Sequence, residues 1–108
     1  MSYSSKILGQ AKPAALQNQT LFSVSSSNSV ECTIFINNQG PIYDGYSIAL
    51  IQANGTQTPA SQLALNTQLA GGTTVAFSGI YLGSDCSVVV SSSLGFCAFT
   101  ATGLDFSS

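Results

Sequence analysis

The sequence predicts an all-β protein: a single antiparallel β-sandwich of the jelly-roll or immunoglobulin-like type, with about eight short strands and an N-terminal arm. Two observations support this prediction. Apolar and polar residues alternate through several short runs, and this alternation is the period of half-buried strands. Clusters of Gly, Asn, Ser and Pro separate the runs, and no stretch of the 108 residues has a convincing helical period.

The clearest strand is predicted at 29–38, because its apolar residues all fall on one side of an extended chain. These residues are Val30, Cys32, Ile34 and Ile36. Turn-forming residues at 38–41 end the run. The other predicted strands are 20–24, 44–52, 63–69, 73–78, 85–92 and 96–104, and 6–10 can form a further short strand. We expect 79–83 to be a connection whose large residues close one end of the core.

Residues 1–17 show little strand pattern, and Pro13 excludes a central strand position there. We therefore expect an arm over 1–17 before a sandwich domain over 18–108. Such an arm gains contacts by lying across a neighbouring copy or a particle surface, with Ile7 and Leu8 as apolar contacts. The candidate partner-contact residues are Ile7, Leu8, Gln10, Lys12, Pro13 and Tyr43.

Charged residues make up only 6% of the sequence, with two lysines, four acidic residues and no arginine or histidine. Ordinary globular domains contain about 25% charged residues. A surface so poor in charge is a weak barrier to association, and it leaves the edges of a sandwich unguarded. Repeated contacts of this kind usually close into a ring. The sequence therefore favours a protein whose outer faces contact other proteins, and a homo-oligomer with a trimer as the favoured state.

The composition argues against several other classes. Two lysines near the start do not make a phosphate-binding groove, so we expect no nucleic-acid partner. No apolar run approaches the roughly 20 residues of a membrane span, and no signal-peptide pattern is present, so we expect no membrane partner and synthesis in a cytoplasm.

The three cysteines have no CxxC spacing and no histidine beside them, so we expect no zinc site, and no other metal or cofactor. Cys32 and Cys86 fall at inward strand positions and are predicted to be buried thiols. A disulfide between two of the three cysteines is the alternative, which a reducing compartment disfavours.

Without histidine, no Ser-His or Cys-His nucleophile can be built. A carboxylate pair, Asp44 with Asp85, is the catalytic arrangement left open. Both residues stand beside Gly or Ser in turns, where aspartate usually bonds to local backbone, so the turn role is favoured. Tyr43, Tyr46 and Tyr81 can be read as a sugar-stacking platform, although packing is the commoner role of tyrosine. We therefore expect a protein that is not an enzyme.

The segment Leu-Gly-Gln-Ala-Lys-Pro-Ala-Ala at 8–15 resembles the opening of a group of small virion structural proteins of tailed bacteriophages, cyanophages among them. The strand at 20–24, the strand ending in asparagine at 33–37, the run at 69–74 and the segment 82–90 also resemble that group, so the resemblance covers most of 6–106. Ser25 stands where the group commonly has proline.

The resemblance implies a β-sandwich accessory protein of the virion, made in a host cytoplasm and without catalytic residues. Capsid decoration or cementing is slightly favoured over a tail, baseplate or fibre role, so the implied partners are the major capsid protein or tail proteins. A carbohydrate-binding module is the alternative from another class.

Overall fold

The computed structural model describes residues 2–57 and 59–107. Within these residues the chain forms eight strands and one short 3₁₀ turn, Pro59–Ser61. The strands are β1 (Ser2–Ala11), β2 (Gln19–Ser23), β3 (Asn28–Asn38), β4 (Asp44–Ile51), β5 (Gln62–Leu69), β6 (Thr74–Leu82), β7 (Ser87–Ser92) and β8 (Cys97–Ser107). The described part of the chain contains no helix long and apolar enough to cross a membrane.

The strands form two four-stranded sheets. The first sheet has the order β1-β8-β3-β6 and the second has the order β2-β7-β4-β5. All pairings are antiparallel, and they are nested: β1 pairs with β8, β2 with β7, β3 with β6 and β4 with β5. This nesting is that of a long hairpin rolled into two sheets, which is the jelly roll. The predicted antiparallel sandwich is confirmed, and the strand order selects the jelly roll over the immunoglobulin-like alternative.

The core lies between the two sheets, and β3 supplies its centre. All four apolar residues predicted to point inward from this strand are buried, and Ile34 and Ile36 are completely so. Phe99 and Ala101 of β8 lie opposite them in register and are buried too. The alternation in the sequence thus corresponds to the two faces of the first sheet.

The strand β6 is longer than predicted, because it continues through residues that we expected to form a connection. Cys32 of β3 pairs with Ile80, whereas Ile34 pairs with Phe77, so β6 carries one extra residue there. Gly79 lies at this bulge with φ of 72°, a conformation that glycine adopts without steric cost. The bulge keeps Ile80 and Phe77 on the core side of the sheet.

A second bulge, in β5, changes which side chains of that strand face the core. Tyr46 pairs with Thr67 and Ile48 pairs with Ala64, so β5 has one residue more than β4 over this interval. Asn66 lies within this bulge with φ of 49°, and its backbone N–H donates a hydrogen bond to Ser47 Oγ at 2.9 Å. As a result Ala64 is buried.

The bulge in β5 also explains where its two large residues lie. Leu63 and Leu65 alternate with the buried Ala64 and are exposed on the outside of the second sheet.

The predicted boundary at residue 17 does not match the sheet pairing. Residues 2–11 pair with β8 from Ser2↔Ser107 to Ala11↔Phe99, so they are the edge strand of the first sheet and not a separate arm. Residues 12–18 connect β1 to β2, and Pro13 falls just beyond the strand, where no ladder hydrogen bond is needed. Residues 2–7 are all exposed, which explains why this strand shows little alternation.

Candidate interaction surface

Four connections meet at one end of the sandwich, because the nested pairing brings alternate connections to the same side. We call this region the loop end. It consists of the connections 12–18, 39–43, 70–73 and 93–96. These connections touch one another: a Cβ atom added to Gly71 would lie 2.6 Å from the carbonyl oxygen of Gly40, and one on Gly95 would lie 3.1 Å from the amide nitrogen of Ala15.

Asp44, the first residue of β4, holds the turn between β7 and β8. Its side chain is buried, and its Oδ1 atom accepts a hydrogen bond from the Leu94 amide at 2.8 Å. Its Oδ2 atom accepts one from the Phe96 amide at 3.0 Å and another from the Ser92 hydroxyl. A buried carboxylate needs such donors to offset its desolvation. Asp44 therefore fixes the path of residues 92–96.

The same hydrogen bonds decide the charge state of Asp44. Burial on its own would raise the pKa of this carboxyl group. The donors from Ser92, Leu94 and Phe96 stabilise the ionised form more strongly, so the net pKa lies below its usual value. The loop end is therefore built on a buried, ionised carboxylate at neutral pH.

Ser92 extends this network within its own turn and to one other connection. Its hydroxyl oxygen accepts a hydrogen bond from the Gly95 amide at 3.0 Å, within the same turn. Its backbone carbonyl accepts one from the Leu16 amide at 2.9 Å, which ties the connection 12–18 to the end of β7.

Asn38, the last residue of β3, has a matching role on the other side of the loop end. Its side chain is completely buried. Its amide group donates to the carbonyl oxygens of Ile42 at 2.9 Å and Leu69 at 2.8 Å, and its Oδ1 atom accepts from the Gly40 amide at 2.9 Å. One side chain thus joins the connection 39–43 to the end of β5 and fixes the position of the one relative to the other.

These fixed loops present large apolar side chains to solvent. The exposed fractions are 78% for Leu16, 57% for Ile42, 63% for Tyr43 and 47% for Leu94. Single exposed apolar residues are ordinary, but several on connections that touch one another indicate an interaction site. Lys12 is the one charged residue that the four connections contain, so this surface is almost uncharged.

The outer face of the first sheet is a second, flatter apolar area. Ile7, Phe35 and Tyr81 are exposed there, and the ring centroids of Tyr3 and Phe106 lie 6.0 Å apart. The hydroxyl of Tyr81 donates a hydrogen bond to Glu31 at 3.0 Å, and this bond raises the pKa of Tyr81.

The candidate partner-contact residues do not form one patch. Ile7 and Gln10 are exposed on β1, whereas Lys12 and Tyr43 are exposed at the loop end. Leu8 is half-buried and packs against the core.

Pro13, by contrast, is completely buried within the sandwich. The sequence did not predict three exposed apolar residues of the loop end, namely Leu16, Ile42 and Leu94. The available signal was a large apolar residue inside a turn-rich segment, with Gly or Pro within three residues.

The structure separates the two aspartates that the sequence offered as a carboxylate pair. Asp44 lies beside the end of β7, whereas Asp85 precedes the start of that strand and accepts a hydrogen bond from the Ser26 hydroxyl at 2.8 Å. The six residues of β7 span roughly 20 Å, whereas catalytic carboxylate pairs of glycosidases lie within about 10 Å. The two aspartates therefore serve local structure, as the turn reading predicted.

The tyrosines do not form a sugar-stacking platform. Tyr46 is buried in the core, where its ring packs edge-on against Phe77 with a centroid distance of 6.2 Å. Tyr43 lies at the loop end, whereas Tyr81 lies near the far end of β6. Among residues 2–57 and 59–107, no group of three or more His, Cys, Asp or Glu side chains is placed to hold a metal ion.

No protein-family model matches the sequence, and no curated protein matches it either. Two solved structures of infectious bursal disease virus are similar in fold. A chain of the crystal structure of the T13 viral particle aligns with a TM-score of 0.51 at 16% identity, and a chain of the Gx strain structure aligns with 0.52 at 15%. Each alignment covers 96% of this protein but only 30% and 31% of the viral chains, so this protein spans about a third of their length. At this identity the likeness shows the fold alone.

Proposed function

We propose that the protein is a non-enzymatic structural protein of a virus particle, which decorates the capsid and cements it by binding several capsid subunits. The loop end is the observation that carries this proposal. It presents an uncharged apolar surface on connections that Asp44 and Asn38 hold in place. The likeness in fold to chains of a virus particle and the resemblance to small virion proteins of tailed bacteriophages both support it.

Preformed connections favour binding, because no ordering of the loops has to accompany association. The bonds of Asp44 and Asn38 already fix the backbone that carries Ile42, Tyr43 and Leu94. Burying the exposed parts of these three apolar side chains would contribute roughly 2.5–5 kcal/mol. Association itself costs about 4–15 kcal/mol, so one loop end binds weakly on its own.

Weak single contacts become strong when several act together on one particle. We therefore propose that the protein acts as a homo-oligomer, with a trimer favoured, and that each copy places its loop end on the capsid. A protein that binds the assembled capsid and not the free subunits stabilises the assembly by mass action. This is the physical basis of a cementing role, and the major capsid protein is the proposed partner.

A comparison of particles with and without this protein tests the cementing role. Particles that lack it are expected to release their genome at a lower temperature and under a milder osmotic shock. Adding back the purified protein should restore the heat-release curve. Identical curves for both kinds of particle would contradict cementing, and protein found only on isolated tails would favour the tail, baseplate or fibre role instead.

A further inference from the structure

We propose that β1 is an exchangeable strand. In the self-associated protein, β1 of each copy leaves its own sheet and pairs with β8 of a neighbouring copy, while residues 14–18 act as the hinge. This inference deepens the self-association proposed above, and the identity of the capsid partner does not enter it.

β1 contributes little to the core of its own sandwich. It lies at the edge of the first sheet, and β8 is the strand with which it pairs. The side chains of residues 2–7 are exposed, and within the strand only Leu8, Gly9 and Ala11 are half-buried. The strand is therefore held mainly by its backbone ladder with β8. Leu8 and Ala11 also pack against the core, and Gly9 lies against the backbone of Leu21 in β2, so an exchanged β1 strand has to fill these same positions.

The contacts of β1 with β8 are preserved in an exchange. Lys6 Nζ lies 3.0 Å from Asp105 Oδ2, and the hydroxyl oxygens of Ser2 and Ser107 lie 2.7 Å apart. Each of these contacts joins β1 to β8, so a β1 strand from a neighbouring copy makes the same set. Exchange of an identical strand therefore loses no contact of the β1–β8 ladder. The difference in free energy between the exchanged and the unexchanged protein then depends on the hinge.

The hinge contains a residue in a strained backbone conformation. Leu16 has φ of 63°, in the left-handed region where a bulky L-residue is an outlier. Its side chain is exposed, so no packing compensates for this conformation. The turn around it is closed by a hydrogen bond from the Gln17 amide to the Ala14 carbonyl at 3.1 Å. Straightening this turn relieves Leu16, and strained short hinges favour exchange.

The hinge is long enough for β1 to reach a neighbouring copy. Five extended residues span roughly 17 Å, which is enough for β1 to cross to a copy lying alongside. Lys12 precedes Pro13, and the residue before a proline favours an extended backbone. The opened hinge is thus continued by a segment that is already extended. The hydrogen bond from the Leu16 amide to the Ser92 carbonyl is given up in this step.

A disulfide trap tests the exchange directly. Ser2 and Ser107 are both replaced by cysteine in a Cys86→Ser background, because their side-chain oxygens are close enough for a disulfide whenever β1 lies beside β8. Cys32 and Cys97 are buried and stay out of the reaction. The self-associated fraction, identified by light scattering, is oxidised with oxidised glutathione, denatured and separated without reductant.

Exchange predicts covalently linked multimers from the self-associated fraction and unlinked chains with an internal disulfide from the monomeric fraction. Internal disulfides alone in the self-associated fraction would overturn the proposal. So would a protein that remains monomeric up to its solubility limit. Particle binding is measured separately, so failure of the capsid role and failure of the exchange give different results.

A matched pair of variants tests the hinge in the same trap. Leu16→Gly removes the strain, because glycine adopts positive φ freely, and should lower the fraction of linked multimers several-fold. Leu16→Ala removes the same apolar side chain but keeps the strain, so its fraction should stay close to that of the parent. Equal losses in both variants would show that Leu16 acts through an apolar contact, and this would overturn the role of the hinge.

Discussion

The carboxylate of Asp44 lies 2.8 Å from the backbone amide of Leu94, so a buried charge holds a turn whose leucine side chain faces solvent. Asp44, which stabilises the loop end, and Leu94, which the loop end exposes to solvent, are thus adjacent in space and distant in sequence. A change at Asp44 should therefore alter both the stability of the protein and the shape of its proposed binding surface.

Replacing Asp44 by asparagine should destabilise the protein by about 2–3 kcal/mol, because the new amide group faces backbone N–H donors that lose their acceptor. Urea denaturation measures the change. Asp85→Asn is the matched control, since Asp85 is exposed and asparagine tolerates its φ of 64°. We expect the control to change the stability by less than about 0.5 kcal/mol. Equal losses at the two positions would contradict the structural role of Asp44.

The stability should fall in acid. The pKa of Asp44 is lowered on balance, because its hydrogen bonds outweigh its burial, and the pKa of Asp105 is lowered chiefly by its bond with Lys6. An unfolded aspartate has a pKa of about 3.9, so near this pH the unfolded chain binds more protons than the native one. The stabilisation is therefore complete above about pH 4 and is lost as the pH falls through the lower native values.

Urea denaturation between about pH 2.5 and 6 measures this dependence, and Asp44→Asn should make it flatter. The variant and the parent should differ most at the upper end of the range, where Asp44 is ionised. Parallel curves over the whole range would show that Asp44 does not contribute through its charge.

The alternation of side chains was sufficient to predict the central strand and the sandwich. Ile34 and Ile36 lie where the period of two places them, because β3 is covered by the opposite sheet on one face only. The bulges could not be predicted from this pattern. Gly79 and Asn66 each lie where one strand has an extra residue relative to its partner, which shifts the following side chains to the other face. The alternation within one strand does not show where this extra residue falls. For this reason β6 was predicted too short.

The edge strand and the loop end were harder to predict for different reasons. β1 has exposed side chains on both faces over residues 2–7, so it shows no alternation, and its pairing with β8 depends on residues about a hundred positions away. Asn38 was read as a turn residue. Its role as a buried anchor follows from the approach of Leu69 and Ile42, which the local sequence does not encode.

The cysteines should differ in reactivity within the folded protein. Burial raises the pKa of Cys32 and of Cys97 to about 11, with the nearby charge of Glu31 adding to the first and that of Asp44 to the second. Cys86 was predicted to be buried but is only half-buried, and Cys97 is buried in its place. All three cysteines are free thiols. Because the thiolate is the reactive form, alkylation of the native protein at neutral pH should label Cys86 alone.

Mass spectrometry of the alkylated protein checks this expectation. Denaturation without reductant before alkylation should give three labels on each chain. Rapid labelling of Cys32 or Cys97 in the native protein would contradict their burial, and a single label after denaturation would reveal a disulfide.

The occupancy of purified particles by loop-end variants shows whether the loop end binds the capsid. The double variant Ile42→Ser, Tyr43→Ser removes two apolar side chains from the loop end. The matched control Leu63→Ser, Leu65→Ser removes two from β5, where the exposed fractions are 38% and 67%. If the loop end binds the capsid, the first variant should lose about tenfold or more in affinity for particles, while the control binds as the parent does. Unchanged occupancy of the loop-end variant, or a loss confined to the β5 control, would contradict the account.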